Sequence, residues 1–487
     1  PVNAFLSGGL DSTLLVSMAR KQLGKFDCFN IKFTDTDKKQ ESMADDAYYA
    51  TKAAKHLDVR LNTIEVKPDL AKLLPKIVYH LDEPIGDSAA ISTFLICDAA
   101  RKAGVKVLLS GMGADEIFGG YRKHLAMKIK KNLNWIPSKI LSGTESLISN
   151  LPVNSFNRGN KIIRWTKRFL SIAKLKNQDA FFRSYTYYDA NLISEIFEFD
   201  ASEKIQSIIA DYDEFYNYSI NKRDLIDSMC FSDLNQFMVS LNLKYTDLAS
   251  MAASTEVRVP FVDMEVIKAA FNINSNLKIK RLTQKYLLKK VAEKWLPNEI
   301  VYRPKSSFTL PPRAWIKNDL KDLVSGYLLS KNGLAGRKII KPQFIKKLID
   351  DEDNNREDNA QKIWHLLTLE QWFKNYEEDN IKLLILMNNK KTNIIKDFWQ
   401  KNPVGENLVK AENNWKVHFD KYDKFRYSTE GHILTELDNI DLKNKKILEI
   451  GIGQAADSYQ IVKRGGIWSG LDLTDAAVER AKERFKI

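Results

Sequence analysis

The hexapeptide Ser7-Gly8-Gly9-Leu10-Asp11-Ser12 follows the short apolar run Val2 to Leu6 and precedes an amphipathic stretch, which predicts a strand, a tight turn and a helix in succession. Two glycines let the backbone pass close to an anion, and consecutive N–H groups at a helix N-terminus then point at it with the helix dipole behind them. Ser7 and Ser12 add hydroxyl donors. Asp11 cannot meet phosphate directly because like charges repel, so a carboxylate there suits a divalent cation that bridges to phosphate oxygens. The turn lacks the lysine of G-x-x-x-x-G-K-[ST] and is therefore not the ordinary kinase or GTPase loop. A tight turn with a capping aspartate is the structural alternative; an ATP-consuming ligase is the functional one.

The pattern around this turn is α/β from Pro1 to about Tyr121. Strands are predicted at Val2–Leu6, Phe29–Phe33, Leu61–Val66 and Val105–Ser110, and helices at Asp11–Gln22, around Met43–Leu57 and at Ala89–Ala103, with Gly24 and Gly104 as stops. Such alternation implies a parallel sheet with helices on both faces and ligands beyond the carboxyl ends of its strands. After Arg122 the chain reads as largely helical to about Leu384. Asn388 to Asn393 is a polar break, and a new strand-turn-helix begins at Ile447. The expected domains are therefore 1–387, a linker at 388–393, and 394–487.

Bulk properties bound the partners. A chain of 487 residues with 44% hydrophobic composition can bury more than one core, so two or three domains are expected. The longest apolar run, Leu383 to Met387, is too short to span a bilayer, and no charged-then-apolar leader opens the chain, so the reading is a cytoplasmic protein without a membrane partner. Cys28, Cys97 and Cys230 include no C-x-x-C pair and exclude a cysteine zinc site. The charge of +13 admits nucleic acid, a membrane surface or an anionic nucleotide substrate. Basic residues concentrate in Lys128 to Lys131 and in Lys161 to Lys174, the latter interleaving Ile162, Phe169 and Ala173 with Arg164, Lys167 and Arg168 and reading as an amphipathic helix with a solvated basic face. It carries no RNA-module signature, so no nucleic-acid partner is expected.

A second glycine-rich turn, Ser110-Gly111-Met112-Gly113-Ala114-Asp115-Glu116, closes the Val105–Ser110 strand with two adjacent carboxylates, one of which would complete a metal site with Asp11. With S-G-G-x-D-S, then D-E-P-x-x-D-x-x-A-I at Asp82 to Ile91, then S-G-x-G-x-D-E-x-F-G-G-Y at Ser110 to Tyr121, the chain resembles the synthetase domain of the glutamine-dependent asparagine synthetases. Ser250 to Asp263, Arg303 to Phe308 and Ile363 to Leu367 continue the resemblance in order. It implies a PP-loop (adenine nucleotide alpha-hydrolase) sheet with a largely helical second half. It also implies adenylation of a small carboxylate, aspartate in the family, with release of pyrophosphate and displacement of AMP by ammonia or an amine. Position by position, Ser7, Gly8, Gly9, Asp11 and Ser12 would cradle pyrophosphate; Leu6, Ile31, Ser110 and Gly111 would hold adenosine; Asp11 and Asp115 would bind Mg2+; Lys305 and Glu116 would be catalytic. A cation at Lys305 suits charge building on the α-phosphate. Between Thr255 and Phe261, Glu256 and Arg258 read as a buried, paired charge in a loop supporting the site, and Trp364 and Trp372 as core.

Four features depart from the family pattern or add to it. Met112 stands where the asparagine-forming enzymes hold an acid and a lactam-forming relative a tyrosine, and methionine can neither accept a proton nor orient an ammonium ion. Leu248 replaces an arginine that commonly follows the position of Asp247. The family's N-terminal glutaminase is not in this sequence, so a separate glutaminase chain or domain, free ammonia or another amine would supply nitrogen. Finally, Glu449-x-Gly451-x-Gly453-x-Ala455 with Gly470-Leu471-Asp472-Leu473 resembles the first two strands of the class I S-adenosylmethionine methyltransferases, which implies a partial Rossmann-like segment with Glu449, Gly451, Gly453 and Asp472 toward the cofactor. The alternatives are an amide- or lactam-forming synthetase of surface-polysaccharide or secondary-metabolite synthesis, a PP-loop RNA-modifying enzyme, and a non-catalytic scaffold.

Overall fold

A computed structural model describes all residues except 1, 42–44, 67–68, 150, 153, 156–157, 160, 189–192, 194, 221–222, 306–309, 319, 387–399, 401–413, 473 and 487. The chain divides into two compact units, Pro1–Tyr376 and Glu377–Ile487. The expected linker at 388–393 lies outside the described residues.

In the first unit, β1 (Val2–Phe5) leads through the first glycine turn into α1 (Leu10–Leu23) and β2 (Asp27–Lys32). Then come α2 (Asp46–Leu57), β3 (Arg60–Glu65), α3 (Leu70–His80), α4 (Ala89–Lys102) and β4 (Val107–Leu109). The second glycine turn opens α5 (Ala114–Phe118), followed by α6 (Arg122–Asn132), α7 (Lys161–Ala173) and α8 (Leu243–Ala252). A fifth strand, β5 (Glu256–Arg258), joins the sheet before α9 (Tyr286–Ala292) and the long α10 (Ala360–Leu386). The strands are all parallel in the order β3-β2-β1-β4-β5.

The alternation of side chains along a strand explains the layering. Phe5, Phe29, Ile31 and Leu108 face a core built with α3, α4 and Trp364, while Ala4, Leu6 and Cys28 face a second core built with α1, α2 and Leu288 of α9. Buried on both faces, β1 is apolar but for Asn3, which is 6% exposed and accepts from the Asp27 N–H at 2.9 Å.

Several sequence expectations shift. The strand expected at Val105–Ser110 is shorter, and Met43 lies outside the described residues. The stretch Thr255–Phe261, read as a loop, contributes β5. Glu256 and Arg258 are paired at 2.8 Å but not buried, being 52% and 58% exposed in their side chains. They lie two apart on an edge strand, so both point to the same solvated face. The basic face of α7 is not simply solvated either. Arg164 donates to the Glu41 carbonyl at 3.0 Å, Lys167 to the Ser149 carbonyl at 2.7 Å, and Arg168 to the Arg183 carbonyl at 2.9 Å. Trp364 is 1% exposed in the core, whereas Trp372 is only partly buried and donates to the Asp82 carbonyl at 2.8 Å.

The second unit contains β6 (Lys446–Ile450), α11 (Ala456–Lys463) and β7 (Ile467–Leu471), with the two strands paired in parallel. No helix among the described residues is long and apolar enough to cross a membrane.

His365 on α10 fixes a prediction. Its ring lies against Gly86, where a Cβ would collide with it, contacts Tyr187 edge-on at 5.4 Å, and meets Gln361 at 3.1 Å. Burial pushes the imidazole down to about 4. Between that value and the unfolded value of 6.5 the unfolded chain takes up a proton that the folded chain refuses, so stability falls with pH across this window. The loss from this residue should be about 3 kcal/mol between pH 6.5 and 4. Denaturant unfolding across that range should show His365→Gln losing correspondingly less stability than the parent; an identical pH dependence in both would refute the assignment.

Candidate functional site

β1 and β4 are neighbours, with Ala4 opposite Leu109, so the turns that follow them lie side by side at the carboxyl end of the sheet where its strand order reverses. The first turn is tight: Gly8 has φ +68°, and a Cβ there would run into the backbone of α2 at Tyr49 and Ala50. Ser7 and Ser12 hydroxyls meet at 3.0 Å, and the Gly9 N–H donates to Ser7 Oγ at 3.3 Å. The second turn presses on the first. A Cβ on Gly111 would stand 2.7 Å from the Ser12 nitrogen, so only glycine lets the two backbones approach this closely.

This approach brings the first residues of α1 against α5 and sets Asp11 and Asp115 around one ammonium. Lys285 Nζ lies 2.7 Å from Asp11 Oδ2 and 2.8 Å from Asp115 Oδ1. Lys305 Nζ meets the same Asp115 oxygen at 2.5 Å, donates to the Gly120 carbonyl at 3.0 Å, and lies 4.8 Å from the Tyr121 ring centroid. Burial raises the Asp11 carboxyl against the pull of Lys285, with the Asp115 charge adding to the rise. Asp115 is equally desolvated, but Lys285 and Lys305 together outweigh burial and hold it well below the usual carboxylate range. The two acids reverse the effect of burial on Lys285 and keep its ammonium charged.

The other expected residues lie around this cluster. Leu6 and Ile31 are 0% and 6% exposed, so what they offer a ligand is backbone. The Ser110 N–H donates to the Arg258 carbonyl at 2.8 Å, and Ser110 Oγ accepts from the Met112 N–H at 3.3 Å. Arg303 bonds the Ser7 carbonyl at 3.1 Å, pairs with Asp46 and stacks on Tyr49. Ser306 to Phe308 of the expected basic loop lie outside the described residues. Glu116 is 1% exposed; it accepts from the Tyr121 hydroxyl at 2.5 Å and from Asn242 Nδ2 at 2.6 Å, and burial raises its carboxyl. Met112 packs against the apolar core, and its sulfur accepts from the Thr246 hydroxyl at 3.4 Å. Leu248 is partly buried against the same core.

Lys285 escaped sequence reading. It is one of seven basic residues between Lys278 and Lys294, and nothing in that run marks it. Its position comes from a left-handed backbone, φ +51°, at the start of α9 after a short antiparallel hairpin.

A Mg2+–nucleotide site takes one or two carboxylates from the protein and completes its shell with phosphate and water. The residues fit: Asp11 Oδ1 is buried without a hydrogen-bond partner. Among the described residues no group of three or more His, Cys, Asp or Glu side chains forms a self-sufficient metal cage.

In the second unit, Glu449 accepts from Trp468 Nε1 at 2.9 Å, Gly451 and Gly453 have positive φ, and the Gly453 N–H donates to Asp472 Oδ2 at 3.3 Å. The four residues named from sequence thus surround one turn after β6, while Leu473 lies outside the described residues.

Comparison with known proteins agrees with this geometry. The asparagine synthase family model matches residues 1–374. Glutamine-hydrolysing asparagine synthetase 1 of Bacillus subtilis is 29% identical over 76% of this chain and 56% of its own length. A putative glutamine-hydrolysing asparagine synthetase of Mycobacterium bovis is 27% identical over 78% and 55%, and an amidase, chyE, of Penicillium rubens 23% over 67% and 52%. The chain thus spans little more than half the length of these relatives. Because the matched residues carry both glycine turns, the two acids and both lysines, the chain belongs to the asparagine synthase family.

Proposed function

We propose that this chain is the synthetase part of a carbon–nitrogen ligase that forms an amide through an acyl-adenylate. The observation that carries the reading is the shared ammonium of Lys285 between Asp11 and Asp115, with Lys305 on the same carboxylate. One oxygen of the substrate carboxylate attacks the α-phosphorus of ATP, the bond to the β-phosphate oxygen breaks, and pyrophosphate leaves. Ammonia or an amine then attacks the acyl carbon, and AMP departs as the C–N bond forms.

The chain's own groups divide this work. The N–H groups and hydroxyls of Ser7 to Ser12 suit the departing pyrophosphate. Lys285 supplies fixed positive charge beside the phosphates, and Lys305 is the cation available to the α-phosphate as charge builds there. Leu6, Ile31, Ser110 and Gly111 offer backbone to the adenosine. Asp11 and Asp115 would hold Mg2+, which would neutralise phosphate charge when bound. Glu116, enclosed with Tyr121 and Asn242, acts in this reading by holding the wall of the site.

Aspartate is the family's carboxylate, but Met112 and Thr246 favour a second reading in which the acceptor side takes a less polar substrate and makes another amide or a lactam. An RNA-modifying role has less support because the basic side chains of α7 bond internal carbonyls. The nitrogen source, including any glutaminase domain or chain, belongs to the same proposal. An S-adenosylmethionine site around Glu449, Gly451, Gly453 and Asp472 rests on sequence resemblance and on the closeness of those residues.

Pyrophosphate release from ATP and Mg2+, with ammonia and aspartate or a panel of other carboxylates, tests the ligase reading; nucleotide binding with no release for any carboxylate would count against it. Lys305→Ala should lower release by about 100-fold or more while ATP affinity changes only a few-fold by calorimetry; comparable losses in both would make Lys305 a binding residue. Asp115→Asn should weaken Mg2+-dependent ATP binding by about tenfold or more, and unchanged affinity would remove Asp115 from the metal site.

A further inference from the structure

The peptide unit joining Gly120 to Tyr121 is held from both sides. Its carbonyl accepts from Lys305 Nζ at 3.0 Å, and its N–H donates to His124 Nδ1 at 3.3 Å. His124 is fully buried, and its Nε2 lies 2.7 Å from Asp233 Oδ2. Asp233, also fully buried, takes the Lys123 ammonium on its other oxygen at 2.5 Å. Because Asp233 only accepts, the ring proton sits on Nε2 and leaves the Nδ1 lone pair for the Tyr121 N–H. Burial holds the imidazole below its usual range despite Asp233, with Lys123 and Lys305 pushing the same way, so Nδ1 stays unprotonated.

A side chain at the third position of a helix that reaches back to the N-cap N–H is an ordinary capping device. Here it has a second consequence. The amide is planar, so fixing the direction of its N–H also fixes its C=O, and that carbonyl holds Lys305. The unit has little room to turn: a Cβ on Gly120 would collide with Asp115 and with the Lys285 side chain.

We infer that Asp233 and His124 form a positioning pair for Lys305, acting through the Gly120–Tyr121 peptide unit. The inference rests on the assignment of Lys305 to the reacting phosphate, yet it can be tested apart from it. Neither residue is among those that the sequence motifs marked.

The test measures how fast trace acetic anhydride acetylates Lys305 in the full chain, read by peptide mass spectrometry against the exposed Lys131 and Lys139, with and without Mg2+ and ATP. His124→Phe removes the acceptor, and His124→Asn, too short to reach the Tyr121 N–H, gives the same readout should phenylalanine not be accommodated. Either should raise Lys305 acetylation about threefold or more relative to the reference lysines, the worth of one lost hydrogen bond. His124→Gln keeps an acceptor in reach and should restore the parent rate. Unchanged Lys305 acetylation in the folded His124→Phe or His124→Asn variant would overturn the inference. So would a rise shared equally by the reference lysines, or a His124→Gln variant as reactive as the others. Failure of Mg2+ and ATP to protect Lys305 in the parent would instead remove the nucleotide reading and leave the positioning result standing.

Discussion

Two carboxylates side by side in a desolvated pocket repel, and each alone carries a burial penalty of several kcal/mol. Lys285 resolves this by placing one ammonium within hydrogen-bond distance of both. Its side chain is only 7% exposed, so the attraction is little screened by solvent. The rest of the site follows from that cluster. Lys305 can rest on Asp115 because the pair of acids retains enough negative charge for a second cation. Asp11 keeps one buried oxygen without a hydrogen-bond partner. The absence of a Cβ at Gly111 and Gly120 makes these distances possible, since a methyl group at either would push apart the backbones and side chains that converge there.

The polar and the apolar surroundings of the two glycine turns follow different rules. Around the glycine turns, hydroxyls, N–H groups and two lysines offer what a triphosphate needs. Around Met112, Thr246 and Leu248 the wall is mostly apolar and continuous with the core under α4 and α8. The positive charge of the chain is also less available than its total suggests. Arg164, Lys167 and Arg168 are bonded to carbonyls, and Arg313, 2% exposed, is paired with Glu352 and Asp358.

Local patterns made much of the sheet legible. Apolar runs and glycine stops marked β1 to β4 and, of the helices between them, α1, α2 and α4 but not α3, since period and turn chemistry act over a few residues. β5 was not legible: three residues with charges at both ends match neither a buried strand nor an alternating one, and only pairing with β4 makes them a strand. Glu256 and Arg258 were recognisable as partners from their spacing, but their exposure depended on β5 being the sheet edge. The same limit hid Lys285, whose place depends on a left-handed residue and a hairpin far along the chain. It hid the His124 to Asp233 contact as well, which joins residues 109 positions apart.

By itself the sequence determined the two glycine turns, the acids that follow them and the order of the β-α series, since each depends on what a backbone can do within a few residues of a glycine or an apolar run. Tertiary structure alone decided which cation the acids share, which backbones touch, and which charges are buried. Those outcomes depend on strand order and desolvation, and both are properties of distant segments brought together.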